Sequence, residues 1–127
     1  MMIVIESEHI PPSVNGLFVN VPGRGRVRSK KYSDWAKAAG WDYNGSTAVS
    51  GDFSVVITLD RAKIRKGSDL DNRGKAVLDL LVTHRRVEDD SRCVDFRIRY
   101  GEAVKGVRVE VASATPQTYP PRSGRET

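Results

Sequence analysis

The chain has 127 residues, of which 39% are hydrophobic and 29% charged, and its formal net charge is +5. This length and composition are typical of one globular domain with a substantial core. No apolar run approaches the roughly 20 residues that span a bilayer, and we find no signal peptide. The single cysteine, Cys93, excludes an intrachain disulfide. We therefore expect a cytoplasmic protein without a membrane partner, and its basic character permits a nucleic-acid partner.

The N-terminal part of the chain predicts a strand followed by loops. The β-branched segment 2–6 is typical of a strand, whereas the prolines and the Asn-Gly pair within 10–16 predict a loop. Residues 17–21 indicate a short extended piece. Residues 22–31 carry five cations, two glycines and no acid, so we expect a mobile basic loop there.

A helix is predicted over 32–43, because apolar residues recur at spacings of three and four. Ser29 or Ser33 can cap its start. Trp35 and Trp41 lie along this helix, and we expect both of them to belong to the core.

Alternating apolar residues predict a second strand over 53–59, which leads into a basic stretch over 60–67. The clearest helical pattern follows, over 71–84. Either Asp69 or Asp71 can cap the N-terminus of this helix, where the helix dipole favours anions.

Two more alternating segments, 93–100 and 107–111, predict strands, and we expect 101–106 to join them as a hairpin. In the first of these strands Val94 is expected to point inward. The fold class is therefore α+β, a single domain with a mixed or antiparallel sheet of about four strands packed with two main helices. We place this domain at 1–112 and a proline-containing, flexible tail at 113–127.

Two clusters of carboxylates stand out in this basic chain, one around Asp69 and Asp71 and the other at 88–90. Clustered carboxylates repel one another unless a cation lies between them, and Mg²⁺ prefers oxygen ligands. Asp69, Asp71 and Asp90 could hold one or two such ions, with Lys75 beside the transition state of phosphodiester hydrolysis. A helix of about thirteen residues spans roughly 20 Å, so the fold must bring Asp90 back to the start of the helix.

Each part of this pattern also has a structural interpretation. A lone aspartate at a helix start is commonly an N-cap, and Lys75 between Asp71 and Asp79 can form an ordinary surface ion pair. Asp89 and Asp90 can form a polar turn. The combination of these features, rather than any one of them, favours a catalytic site.

The combination resembles the RusA family of Holliday junction resolvases. Its central motif is Asp69-Leu70-Asp71-Asn72-x-x-Lys75-x-x-x-Asp79, followed by Glu88-Asp89-Asp90-Ser91. The segment Pro11-Pro12-Ser13-Val14-Asn15 is similar to the Pro-Ser-x-Asn loop of the family, and Lys31-Tyr32-Ser33-Asp34-Trp35 is similar to its helix entry. The resemblance covers residues 1–112.

This resemblance implies a homodimeric endonuclease that uses Mg²⁺, with Mn²⁺ as a substitute, to make paired nicks in a four-way DNA junction. It implies Asp69, Asp71, Lys75 and Asp90 as catalytic residues, and it implies the three aspartates among them as metal ligands, with Asp89 as an accessory. Basic and amide side chains are assigned to DNA contact. These residues are Asn15, Arg24, Arg26, Arg28, Lys30, Lys31, Arg61, Lys63, Arg65, Lys66 and Asn72.

Two alternatives remain: a non-catalytic DNA-binding or regulatory protein of a phage or prophage, and a nuclease for other branched or flapped nucleic acids. The sequence also departs from the family in two places. Gly74 lies inside the predicted helix at a cost of about 1 kcal/mol relative to alanine. Arg85 and Arg86 replace a turn that is usually small or contains glycine.

Overall fold

The computed structural model describes residues 2–13, 18–64 and 70–114, with the backbone alone at Phe18 and Asp71. The predicted tail beyond residue 114 lies outside this part. The described helices and strands are β1 (Met2–Ser7), β2 (Phe18–Val21), β3 (Gly25–Arg28), α1 (Lys30–Tyr43), β4 (Phe53–Leu59), α2 (Gly74–Thr83), β5 (Cys93–Tyr100) and β6 (Val107–Ser113). Among the described residues, no helix has the length and apolar character needed to cross a membrane.

The main sheet has four strands in the order β1-β6-β4-β5. β4 pairs in parallel with β5, while β6 runs antiparallel to both β1 and β4. With the two helices, this mixed sheet confirms the predicted α+β fold class.

The predicted hairpin between the strands at 93–100 and 107–111 is wrong, because β4 lies between them. β4 takes this central place since its apolar residues Phe53, Val55, Ile57 and Leu59 are all buried. The connection 101–106 instead crosses the end of β4. Its two ends are bound there, as the Gly101 N–H donates to the Leu59 carbonyl and the Asp60 N–H donates to the Gly106 carbonyl.

β5, at the edge of the sheet, contains a bulge where it enters the pairing with β4. Phe53 pairs with Cys93, but Ser54 pairs with Asp95, so Val94 is the extra residue. Its side chain is 60% exposed, and the prediction that it points inward is wrong.

α1 contributes a stripe of buried side chains at helical spacing, which includes Trp35, Ala39 and Tyr43. The prediction that Trp35 belongs to the core is confirmed. Trp41 lies off this stripe and is 84% exposed, so the same prediction is wrong for Trp41. The Ser29 side chain accepts a hydrogen bond from the Tyr32 N–H and caps the helix, as one of the two predicted caps.

The basic segment 22–31 is not an irregular loop, because it contains β3, which pairs with the preceding strand β2 as a two-stranded antiparallel hairpin. The hairpin turn places Pro22 before Gly23, whose φ is +78°, and the Arg24 N–H donates to the Val21 carbonyl. Proline followed by a glycine of positive φ is the signature of a type II turn. The Pro-Gly pair in the sequence was therefore a usable signal for this hairpin.

The predicted helix at 71–84 is divided into two parts. A 3₁₀ turn over Asp71–Arg73 precedes α2, and the cap positions before the two parts are Leu70 and Arg73, which make no side-chain cap hydrogen bond. The expected N-cap at Asp71 is therefore wrong, since Asp71 lies inside the 3₁₀ turn.

The C-terminal end of α2 closes in a Schellman motif, in which the Arg85 N–H donates to Val82 and the Arg86 N–H donates to Leu81. The position that glycine usually occupies in this motif is held by Arg85, with φ at +56°. Arg86 is buried rather than at the surface, and its guanidinium donates to the carbonyls of Thr47 and Tyr43.

We predict that Arg85→Gly stabilises the fold by about 1 kcal/mol, because glycine adopts the left-handed conformation without the steric cost of a Cβ atom. The free energy of unfolding from urea titration measures this gain. Arg85→Ala is the matched control, since it removes the same charge but retains the Cβ atom, and it should give no such gain. Equal stabilisation by both variants would contradict the prediction.

Candidate active site

The start of α2 packs directly on β5. A Cβ atom added to Gly74 would lie 2.1 Å from Cζ of Phe96, closer than any contact that real side chains make. Glycine therefore permits the close approach between the helix backbone and the Phe96 ring. This explains one of the two departures from the family pattern.

The chain returns from the end of α2 to its beginning before it enters β5. α2 has ten residues and so is roughly 15 Å long, yet Asp90 reaches Lys75, the second residue of the helix. Lys75 Nζ lies 3.3 Å from Asp90 Oδ2. The fold thus places Asp90 at the start of α2, as the predicted chemistry requires.

Two of the four predicted catalytic residues, Asp69 and Asp71, have side chains outside the described part of the structure. The backbone of Asp71 belongs to the 3₁₀ turn that leads directly into α2. Lys75 follows four residues later. The roles of Asp69 and Asp71 remain predictions.

Lys75 lies between two carboxylates, since Nζ is also 3.0 Å from Asp79 Oδ1. The hydrogen bond to Asp79 raises the pKa of Lys75, with a smaller contribution from Asp90. The i,i+4 ion pair that the sequence suggested is therefore present. It is one half of a three-residue arrangement that also includes Asp90.

The side chain of Asp89 is bound within the turn that contains it. Its carboxylate accepts a hydrogen bond from the Ser91 hydroxyl, and this bond holds the pKa of Asp89 below its usual value. A polar turn accounts for Asp89, while Asp90 extends toward α2. The accessory role predicted for Asp89 has no contact to support it among the described residues.

Tyr32 of α1 extends this arrangement, and sequence reasoning missed its part. The Tyr32 hydroxyl donates to Asp79 Oδ2 at 3.1 Å, across 47 positions of sequence. Burial, and then the charge of Asp79, raise the pKa of Tyr32 to about 12. Cζ of Arg28 lies 4.8 Å from the centroid of the same ring, which links the basic hairpin to the site.

The basic residues predicted to contact DNA fall into two groups. Arg24, Arg26 and Arg28 lie on the β2–β3 hairpin, and Lys30 and Lys31 begin α1 directly after it. The hairpin side of the fold is therefore continuous with the Lys75 site through Arg28 and Tyr32.

The second group lies at the opposite end of β5. Arg61 and Lys63 form a 3₁₀ turn after β4, and the Arg61 guanidinium covers the ring of Tyr100. β5 has eight residues, so this end lies roughly 20 Å from its entry beside Asp90. Of the other predicted contacts, Asn72 lies in the 3₁₀ turn before α2, whereas Asn15, Arg65 and Lys66 lie outside the described residues.

The N-terminal loop is bound to the start of α2. Arg73 Nη1 donates to the Pro11 carbonyl at 2.7 Å, and the Trp35 indole donates to the His9 carbonyl. The segment that resembles the family's Pro-Ser-x-Asn loop therefore begins next to the 3₁₀ turn that contains Asp71.

A four-stranded mixed sheet, with a lysine held between carboxylates and a basic hairpin close by, suits a protein that acts on the phosphates of nucleic acid. The model of the family described as Endodeoxyribonuclease RusA matches residues 10–112. The match covers most of the 127 residues, and the chain belongs to this family of DNA endonucleases. The resemblance drawn from the aspartate motifs is confirmed. No curated protein matches the chain.

The donor set is suited to a hard divalent cation. Within the described residues no three ligand side chains converge, and the side chains of Asp69 and Asp71 lie outside this part of the structure. Asp90 nevertheless offers a carboxylate that is 43% exposed and already attracts a cation, the Lys75 ammonium. Carboxylate oxygens are the ligands that Mg²⁺ prefers.

We predict that Gly74→Ala destabilises the protein by about 2 kcal/mol, because the added methyl group clashes with Phe96. Helix propensity alone would give the opposite sign. The free energy of unfolding tests this prediction, and the double variant Gly74→Ala/Phe96→Ala should be more stable than the sum of the single changes indicates. Additive losses would show that the contact with Phe96 is not the cause.

Proposed function

We propose that this protein is a Mg²⁺-dependent endonuclease that resolves four-way DNA junctions by paired phosphodiester hydrolysis. The observation that carries the proposal is the meeting of Asp90 with Lys75 at the start of α2, directly after the turn that contains Asp71. Membership of the RusA family supports the same chemistry.

In this proposal Asp69, Asp71 and Asp90 hold the metal. When bound, Mg²⁺ would supply a Lewis acid for the phosphoryl group and favour deprotonation of the attacking water. The ammonium of Lys75 is charged at neutral pH, and the hydrogen bond to Asp79 favours this form further by raising its pKa. That ammonium can donate to a phosphate oxygen and offset the negative charge that develops in the transition state.

The basic hairpin would bind the phosphates of the DNA arm next to the site. Arg28 adjoins the catalytic arrangement through its contact with the Tyr32 ring. Arg24 and Arg26 extend farther along the hairpin, where they can contact successive phosphates without reading the base sequence.

A homodimer completes the proposal. A four-way junction has twofold symmetry and two strands to cut, and an isologous dimer would place one site on each strand. Paired, symmetric nicks then follow from the symmetry of the complex.

We predict that Asp90→Asn lowers the cleavage rate by about 100-fold or more, because it removes a metal ligand. Asp71→Asn should behave in the same way. Binding of a labelled junction should persist or tighten, since each change also removes a negative charge near DNA. Asp95→Asn is the control, because Asp95 is an exposed residue of β5 that pairs with Arg97.

The substrate is tested with a four-way junction, a flap and a linear duplex, each with and without Mg²⁺. The proposal requires symmetric nicks in the junction that depend on the metal. Preferred cleavage of the flap would support a nuclease for other branched DNA. Binding without cleavage of any substrate would indicate a non-catalytic DNA-binding protein.

We predict that the double variant Arg24→Glu/Arg26→Glu weakens junction binding across all sequences. Loss of two phosphate contacts should also reduce the slope of log K against log salt by about 1.8, at roughly 0.9 for each contact. Junction affinity measured over a salt series tests both effects, with Arg97→Glu on β5 as the control. A salt slope equal to that of the unmodified protein would remove the hairpin from the interface.

A further inference from the structure

Asp79 holds Lys75 with one oxygen and is itself held through the other. Oδ1 contacts the Lys75 ammonium at 3.0 Å, and Oδ2 accepts the hydrogen bond of the Tyr32 hydroxyl at 3.1 Å. The side chain of Asp79 is 24% exposed, compared with 43% for Asp90. Of the two carboxylates around Lys75, Asp79 is therefore the better fixed.

Tyr32 is a rigid donor for this purpose. The residue is 2% exposed, and its ring packs against Trp35 with a centroid distance of 6.1 Å. Its backbone N–H is bound by the cap of α1, Ser29. A buried phenol in this setting stays protonated over the working pH range, so the hydroxyl continues to donate to Asp79.

The carboxylates of Asp79 and Asp90 have different roles if Asp90 binds a cation. A divalent ion at Asp90 repels the Lys75 ammonium, because like charges at this range disfavour each other. Lys75 then needs a second carboxylate to remain beside the reacting phosphate, and Asp79 provides one on the same face of α2.

We propose that Asp79, oriented by Tyr32, is the positioning residue for Lys75, which it holds near Asp90 while leaving Asp90 available to the metal. This inference rests on the proposed function, since it concerns the same site. Its consequence is an energetic coupling between Asp79 and metal affinity that acts through Lys75 and not through direct contact.

The coupling has a definite sign. In Asp79→Asn, Lys75 retains Asp90 as its carboxylate partner, so the ammonium competes with the metal and affinity should fall by roughly fivefold. Lys75→Met removes the competing ammonium and should tighten metal binding. In the double variant Asp79→Asn/Lys75→Met, the effect of Asp79→Asn should disappear, because no ammonium remains to be redirected.

Tyr32→Phe tests the second link. It removes only the hydroxyl that orients Asp79 and should weaken metal binding in the same direction as Asp79→Asn, by a smaller factor. Thermal unfolding of each variant checks that the fold is intact, since Tyr32 is a core residue.

The experiment measures Mn²⁺ binding to the full-length protein without DNA, from the loss of the free-ion electron paramagnetic resonance signal. Asp34→Asn is the matched control, because Asp34 forms the same kind of i,i+4 pair on α1, with Lys30, and this pair is exposed. Its Mn²⁺ affinity should equal that of the unmodified protein.

Weakening by Asp79→Asn that vanishes in the Lys75→Met background supports the proposal. Unchanged affinity in Asp79→Asn overturns it, as does equal weakening with and without Lys75, which would mean a direct electrostatic effect of Asp79. A protein that binds no Mn²⁺ also overturns it. Cleavage assays decide the proposed function separately: intact coupling without junction cleavage would refute only the function, and cleavage without coupling would refute only the role of Asp79.

Discussion

The close packing of α2 on β5 at Gly74 and Phe96 is the constraint on which the candidate site depends. Because the helix backbone rests on the Phe96 ring, the next residue, Lys75, lies near the entry of β5, where Asp90 is found. The return segment is held from its other end by Arg86, which is buried and binds two main-chain carbonyls. A helix start and a strand entry that are separated in sequence are thus fixed together by one close contact and one buried guanidinium.

A core residue fixes the charged side chains of the site in place. An exposed ion pair alone contributes little, about 0–1 kcal/mol, because solvent and side-chain entropy weaken it. The pair of Lys75 with Asp79 differs from the exposed pair of Lys30 with Asp34, since a buried tyrosine fixes the carboxylate of Asp79. A basic protein can therefore keep a specific arrangement of acids at its surface, because one member is anchored to a neighbouring helix. Arg28 of the hairpin contacts the ring of the same tyrosine, so the hairpin and the site pack against one side chain.

Local patterns predicted most of the elements, and distant contacts account for what was missed. β4 and β5 were predicted with their observed bounds, because an alternation of apolar residues with a period of two can be recognised from neighbouring residues alone. The order of the strands was not, since nothing near residues 101–106 shows that β4 lies between β5 and β6. The aspartates and Lys75 were identified through a motif, and the structure shows in addition that Asp90 contacts Lys75. The partnership of Tyr32 with Asp79 joins two helices, and neither residue carries a signal of it in its own surroundings.

The pairing of β1 with β6 has a consequence for how the protein is made. β1 is synthesised before its partner in the sheet, β6, with Met2 opposite Ala112 across about 110 positions of sequence. β6 also separates β1 from β4, so the four-stranded sheet cannot close until β6 has been synthesised. Folding of such a topology waits for contacts at long sequence separation. A DNA endonuclease with this arrangement acquires its completed sheet only after β6 has left the ribosome, and a chain that is cut short before β6 never acquires it.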